Sequence, residues 1–131
     1  MEKKIKHYIT AQLRRYFSYS DAYKKCQKRA HLAESLYKCE GCGSIIDKKG
    51  QLGPCEDLEI DGIKYPIWPE ALHVDHIEPV VPIEGFLDEE DWSRRIITRM
   101  FVKEDKLQYI CECCHYLKTQ IENQERRNER D

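Results

Sequence analysis

No apolar run in these 131 residues approaches the roughly 20 residues that a membrane-spanning helix needs. The opening Met1-Glu2-Lys3-Lys4 has none of the apolar core of a secretory signal. These two absences argue for a cytosolic protein with no membrane partner. In that compartment thiols stay reduced, so the seven cysteines read as metal ligands and spares rather than as disulfides. The chain also lacks internal repeats and low-complexity linkers. Its length suits one small domain with an added arm. Hydrophobic residues are 40% and charged residues 35%, which leaves a modest core that a covalent or metal staple would help.

The net charge of −2 conceals an asymmetry. Residues 1–38 carry ten Lys and Arg against three Asp and Glu, whereas residues 47–91 carry three against thirteen. Residues 92–131 are mixed. A basic arm beside an acidic middle fits a protein that meets phosphate with its ends, and it equally fits two solvated helix faces.

Periodicity organises the basic part. Ile5, Tyr8, Ile9, Leu13 and Phe17 recur at helical spacing and predict a helix over residues 4–17. Ser20 is a good N-cap for a second helix from Asp21 to Leu36, which would bury Ala22, Tyr23, Cys26, Ala30 and Ala33. Lys24, Lys25, Lys28 and Arg29 then form a basic face suited to a nucleic-acid backbone. Residues 47–57 read as loop. Leu58 to Tyr65 reads as a hairpin around Asp61-Gly62, ended by Pro66 and Pro69. A strand is expected over Leu72 to Ile77, a helix over Asp88 to Phe101 and a strand over Leu107 to Ile110. A last helix is expected from Glu112 to about Arg127, with Leu117 and Ile121 facing inward.

Two Cys-x-x-Cys pairs, Cys39/Cys42 and Cys111/Cys114, are a strong zinc signal. Four thiolates close a tetrahedral shell, so this zinc would be structural and would have no open position for chemistry. Cys26 reads as core and Cys55 as a loop thiol. Cys113 neighbours the second pair, but Cys111 and Cys114 have the better spacing.

Between the pairs lies His73-Val74-Asp75-His76-Ile77-Glu78-Pro79, and His115 follows Cys114 directly. Asp75 and His115 suit a second, harder divalent ion. His76 is then free as a base, since imidazole titrates at roughly 6.5, close to neutrality. On a regular strand Asp75 and His76 would face opposite sides, so the strand must end or twist here for both to reach one site.

The combination of Cys-x-x-Cys, Val-Asp-His-Ile-Glu-Pro-Val and Leu-Gln-x-x-Cys-x-x-Cys-His-x-x-Lys-Thr resembles the zinc-bearing HNH endonucleases, particularly the small phage-type members. The resemblance covers residues 37–119. It implies an α+β fold: a small zinc-stapled ββα-metal domain over residues 37–131, with a basic helical arm over residues 1–36. It implies His76 as general base, Asp75 and His115 as ligands of a catalytic Mg²⁺ or Mn²⁺, and Cys39, Cys42, Cys111 and Cys114 as ligands of a structural Zn²⁺. Lys118 is a candidate for a phosphate contact, and a solvated surface lysine is the reading its residue type favours. DNA would be the substrate, cut to 5′-phosphate and 3′-hydroxyl ends. A phage packaging protein or another DNA-processing protein would be a further partner, and a bacterial host cell the setting. Two positions depart from the family pattern. Lys106 stands where an Asn usually braces the loop that orients the base, and Thr119 stands where some members carry a further metal ligand. Arg94, Arg95 and Arg99 are weaker candidates for backbone contacts. The competing reading is a non-catalytic, zinc-stapled module that binds DNA or protein.

Overall fold

Ser20 accepts a hydrogen bond from the Tyr23 amide at 3.3 Å, and that cap separates two helices, α1 (Lys3–Phe17) and α2 (Asp21–Ala30). The computed structural model describes residues 2–52, 57–83, 85 and 91–130. Of the expected stripe on α1, Phe17 is buried and Ile9 and Leu13 are partly buried, while Ile5 and Tyr8 stay exposed. On α2, Cys26 and Ala30 are buried.

The second helix is shorter than its periodicity predicts. His31 is already extended, and β1 (His31–Ala33) turns back through Glu34, at φ 48°, to pair antiparallel with β2 (Leu36–Lys38). Ala33 is therefore exposed rather than buried. Cross-strand pairing outweighs a helical preference here, because a short tail of moderate formers gains little by extending a helix. A division after residue 36 falls inside β2, and α1 and α2 share one core with the later elements.

An unexpected strand, β3 (Ile45–Asp47), is completely buried. Three residues are too few to show a period. It pairs antiparallel with β2 and parallel with β5 (Ile63–Pro69), and β5 pairs antiparallel with β4 (Asp57–Ile60). The result is a five-stranded sheet in the order β1-β2-β3-β5-β4. The β4–β5 hairpin turns at Asp61 and Gly62, with φ of 51° and 80°, the paired left-handed geometry that an Asp-Gly loop favours. Pro66 does not end this hairpin. It sits within β5, opposite Asp57, and the strand continues to Pro69.

Asp47 closes the edge of β3 as a buried acceptor. Its carboxylate takes hydrogen bonds from Ser35 Oγ (2.6 Å) and from the amides of Lys49 (3.1 Å), Gln51 (2.6 Å) and Leu52 (2.6 Å). The Ser35 hydroxyl, backed by these amides, holds the Asp47 carboxyl below the usual carboxylate range despite its burial. A depressed folded-state pKa stabilises above the unfolded value, about 3.9, and that contribution is lost as pH falls through the folded value. Asp47→Ala should therefore lower stability at pH 7 by about 3 kcal/mol, because several buried amides lose their acceptor. The deficit should narrow as pH drops below about 4 in urea unfolding followed across pH. An unchanged deficit at pH 2.5 would contradict the role of the charge.

The second sheet has two strands, β6 (Leu72–His76) and β7 (Leu107–Cys111), in antiparallel register with Asp75 opposite Gln108 and His76 opposite Leu107. Between them lies α3 (Trp92–Met100), shorter than expected, with Trp92, Ile96 and Met100 buried and Phe101 exposed. The expected start at Asp88 lies outside the described residues. After β7 the chain enters α4 (Glu112–Arg130). Leu117 and Ile121 do not face inward. They are 54% and 60% exposed, because the face that α4 turns toward the rest of the protein carries His115, Lys118, Glu122 and Arg126 instead. The main core joins Phe17, Cys26 and Ala30 to Trp92, Ile96, Met100, Leu107 and Tyr109. No helix among the described residues is long and apolar enough to cross a membrane.

Candidate metal centre and adjoining cleft

The turn Cys39–Gly43 lies against β7 and the first turn of α4. Glu40 fastens it. The Glu40 amide donates to Tyr109 O (2.9 Å), the Tyr109 amide donates to Glu40 Oε1 (2.7 Å), and Arg29 grips both Glu40 oxygens at 2.7 and 2.8 Å. Arg29 also donates to the carbonyls of Glu104 and Leu107. Burial would raise the Glu40 carboxyl, but Arg29 and the Tyr109 amide hold it below its ordinary value. The Arg29 fork is thus engaged by acceptors of the protein itself although the side chain is 39% exposed, while Lys24, Lys25 and Lys28 are exposed on α2. Gly41 lets the turn approach this closely. A methyl group there would lie 3.1 Å from Cys114 Sγ and 3.3 Å from Ile110 Cγ2. Gly43, at φ 79°, completes the turn.

This docking brings Cys39, Cys42, Cys111 and Cys114 together, with all four sulfurs within 4.8 Å of one another. Cys39 Sγ lies 3.8 Å from Cys114 Sγ, and Cys42 Sγ lies 4.0 Å from Cys111 Sγ. Zinc–sulfur bonds of about 2.3 Å imply tetrahedral edges of about 3.8 Å, so the cluster has the size and donor chemistry of a structural zinc site. The amides of Cys42 and Cys111 donate to Cys39 Sγ at 3.4 and 3.3 Å. Burial opposes ionisation of Cys42, yet hydrogen bonding from Ser44 and neighbouring thiols brings it down to about 7. Among the described residues this is the one group of three or more metal-type side chains close enough to share an ion. Cys26 is buried in the main core, Cys113 is exposed, and Cys55 lies outside the described residues.

The same tether sets Asp75, His76 and His115 around one cleft of 440 Å³, which Arg14, Lys118, Glu122 and Arg126 also line. Asp75 and His76 alternate across β6 as strand geometry requires. Asp75 faces α4. Its Oδ2 takes Gln108 Nε2 (3.1 Å) and Lys118 Nζ (3.1 Å), and its Oδ1 lies 4.0 Å from His115 Nε2. His76 turns toward α1 and α3, packing on Phe17 with ring centroids 4.8 Å apart. Its Nε2 lies 2.7 Å from the Met100 carbonyl. A carbonyl only accepts, so Nε2 carries the proton and Nδ1 is the basic nitrogen. Burial lowers the His76 pKa despite the opposing hydrogen bond to Met100 and the nearby Asp75 charge. Burial thus favours the neutral imidazole. β6 ends at His76, so both side chains reach the cleft, one from each side of the strand end.

Several neighbours were not legible in the sequence. Lys118 donates to Asp75 Oδ2, to the His76 carbonyl (2.9 Å) and to Glu122 Oε1 (2.5 Å), so its three donors point inward rather than to solvent. His73 shares a strand face with Asp75 and stacks on His115, at 4.6 Å and 21°, with its Nε2 buried and unpartnered among the described residues. Arg99 from α3 donates to the carbonyls of Pro79 and Val80, and Arg126 from α4 donates to that of Val81. These two arginines fasten the segment after His76. Lys106 contributes its backbone, accepting from the Ile77 amide at 3.0 Å. Arg94 and Arg95 are exposed on α3.

No protein-family model matches the chain, and neither a curated protein nor a solved structure matches it.

Proposed function

We propose that the protein is a metal-dependent endonuclease of the HNH type that hydrolyses DNA phosphodiester bonds, built on a ββα unit formed by β6, β7 and α4 and stapled by one zinc on Cys39, Cys42, Cys111 and Cys114. The observation that carries this reading is the one cleft that receives Asp75, His76 and His115 from elements tied to one four-cysteine cluster. A packing or binding module has no need of that trio.

Asp75 and His115 would hold a Mg²⁺ or Mn²⁺ ion. The Lys118 ammonium beside Asp75 shows that a cation is accommodated there, and the Asp75 carboxylate is the oxygen donor these ions take. When bound, the ion would polarise the scissile phosphate and steady the departing 3′ oxygen. His76 takes the proton of the attacking water on Nδ1, while the Met100 carbonyl holds Nε2–H and fixes the tautomer. Gln108 orients Asp75 by donating to Oδ2, which leaves Oδ1 toward His115. Arg99 and Arg126 do for the segment after His76 what the family's missing Asn does, so Lys106 at that position is compatible with the chemistry. Lys24, Lys25 and Lys28 supply sequence-independent affinity for the DNA backbone.

The test is a labelled DNA duplex and its single strand incubated with zinc-loaded protein and Mg²⁺ or Mn²⁺, followed by analysis of the ends. Cleavage to ligatable 5′-phosphate and 3′-hydroxyl ends is expected. No cleavage of either substrate in either ion, with retention of DNA in a gel shift, would favour the zinc-stapled binding module instead.

A further inference from the structure

Helix α1 carries Lys3, Lys4, Lys6, Arg14 and Arg15 and no carboxylate of its own. Exposed helix faces ordinarily mix both signs, because Glu and Lys one turn apart stabilise each other. A face of one sign suits a polyanion. Three large rings stand among these cations. Tyr8, Tyr16 and Tyr19 are 66%, 67% and 64% exposed, and none of them packs on another ring among the described residues. Lys4, Tyr8 and Arg15 recur at helical spacing on the solvent side, opposite Leu13 and Phe17, which enter the core. Tyr16 flanks that row. Tyr19 lies in the turn after the helix, its amide donating to the Tyr16 carbonyl at 3.0 Å. At 1.5 Å per residue, Tyr8 and Tyr16 stand about 12 Å apart along the axis, the length of roughly three to four stacked bases. The end of this helix is fixed at the cleft. Phe17 packs on the His76 ring, and Arg14 lines the cleft together with Asp75 and His115.

We infer that α1 is a stacking platform for an unpaired DNA strand: Tyr8, Tyr16 and Tyr19 hold its bases, the lysines and arginines hold its phosphates, and Arg14 leads it into the cleft. That the strand is DNA rests on the proposed function; the platform itself rests on the rings and charges of α1. A duplex keeps its base faces stacked inside, so cations alone serve it. Exposed rings between cations are instead what single strands use, since every base has a π-face and stacking tolerates any sequence. The favoured substrate is then DNA in which a duplex adjoins an unpaired strand, such as a fork or a flap. The platform selects that shape without reading a sequence.

The experiment measures binding by fluorescence anisotropy on zinc-loaded full-length protein, without added Mg²⁺ or Mn²⁺ and without reference to cleavage. The probes are a labelled oligodeoxythymidine, the same chain with abasic sites in place of the thymidines, and a duplex of mixed sequence. Wild type should bind the thymidine chain at least about fivefold tighter than the abasic chain, the smaller end of what one base stacked on an aromatic ring contributes. The triple variant Tyr8→Ala, Tyr16→Ala, Tyr19→Ala should lose at least about tenfold on the thymidine chain and at most about twofold on the abasic chain and the duplex. The triple variant with Phe at the same positions keeps the rings and should bind as wild type does. Zinc content and circular dichroism confirm each variant's fold. Equal wild-type affinity for the thymidine and abasic chains overturns the platform, and that comparison needs no variant. Undiminished thymidine binding in the folded triple Ala variant overturns it too. A dimer in sedimentation that the triple Ala variant dissolves, with no preference for bases, would assign the face to a second copy of the chain instead. Base-dependent binding as described, without cleavage of any DNA in Mg²⁺ or Mn²⁺, would support the platform and sink the nuclease reading alone.

Discussion

Cys39→Ser should release the zinc and collapse the unit that holds the cleft. Cys39 is 1% exposed, its sulfur accepts two backbone amides, and it packs with Ile46, Ile110 and Cys111 in a cluster of its own. Structural zinc contributes apparent folding free energy of about 10–16 kcal/mol in small domains, as much as the whole net stability of about 5–15 kcal/mol typical of a protein. Zinc should fall from one per chain to well below one, and the melting temperature should drop by more than about 15 °C, at roughly 3–5 °C per kcal/mol for this length. The loss should reach the cleft as well. β7 carries Gln108, the partner of Asp75, and runs directly into Cys111, while His115 follows Cys114. Helices α1 to α3 also pack on one another around Ile96 and Met100, in a core that β7 shares through Leu107 and Tyr109, so the helical circular dichroism should fall only in part. Unchanged melting with zinc absent would show that the four cysteines are only buried thiols.

His76→Ala should reduce DNA cleavage by about 10²–10⁴-fold, or about 3–5 kcal/mol of transition-state stabilisation, the range for removing a positioned general base. The fold should tolerate the change better than the chemistry does. His76 gives up one hydrogen bond to Met100 and its contact with Phe17, a stability loss of about 1–2 kcal/mol, and no zinc ligand. Zinc stoichiometry should therefore stay at one per chain while the rate falls. The pH dependence carries a sign. Because burial lowers the His76 pKa, the basic form persists below pH 6.5, and the acidic limb of the rate profile should lie below that value. A limb centred well above pH 7 would point to another base.

The features that position the chemistry were legible where they obey a local rule. Ser20 declares a helix start, Asp61-Gly62 declares a hairpin, and paired cysteine spacing declares a shared metal; each is set by nearest neighbours along the chain. What escaped notice depends on partners far away in sequence. β3 is a buried strand only because β2 and β5 flank it, and α2 stops at Ala30 because β2 returns to pair with the residues that follow. Leu117 and Ile121 match an inward stripe by spacing, yet α4 turns its His115, Lys118, Glu122 and Arg126 face inward and leaves them exposed. Charged side chains were the least readable. Arg29, Arg99 and Lys118 look alike as surface cations in a sequence. In the fold the first clasps the cysteine turn, the second fastens the segment after His76, and the third bridges Asp75, Glu122 and the His76 carbonyl.

The most direct measurement is the conversion of supercoiled plasmid by zinc-loaded protein with Mg²⁺ or Mn²⁺, against the same protein without added ion and against His76→Ala of equal zinc content. The account predicts nicked or linear product in the first reaction and almost none in the other two. A plasmid that stays supercoiled in all three, or is cut equally by His76→Ala, would contradict it.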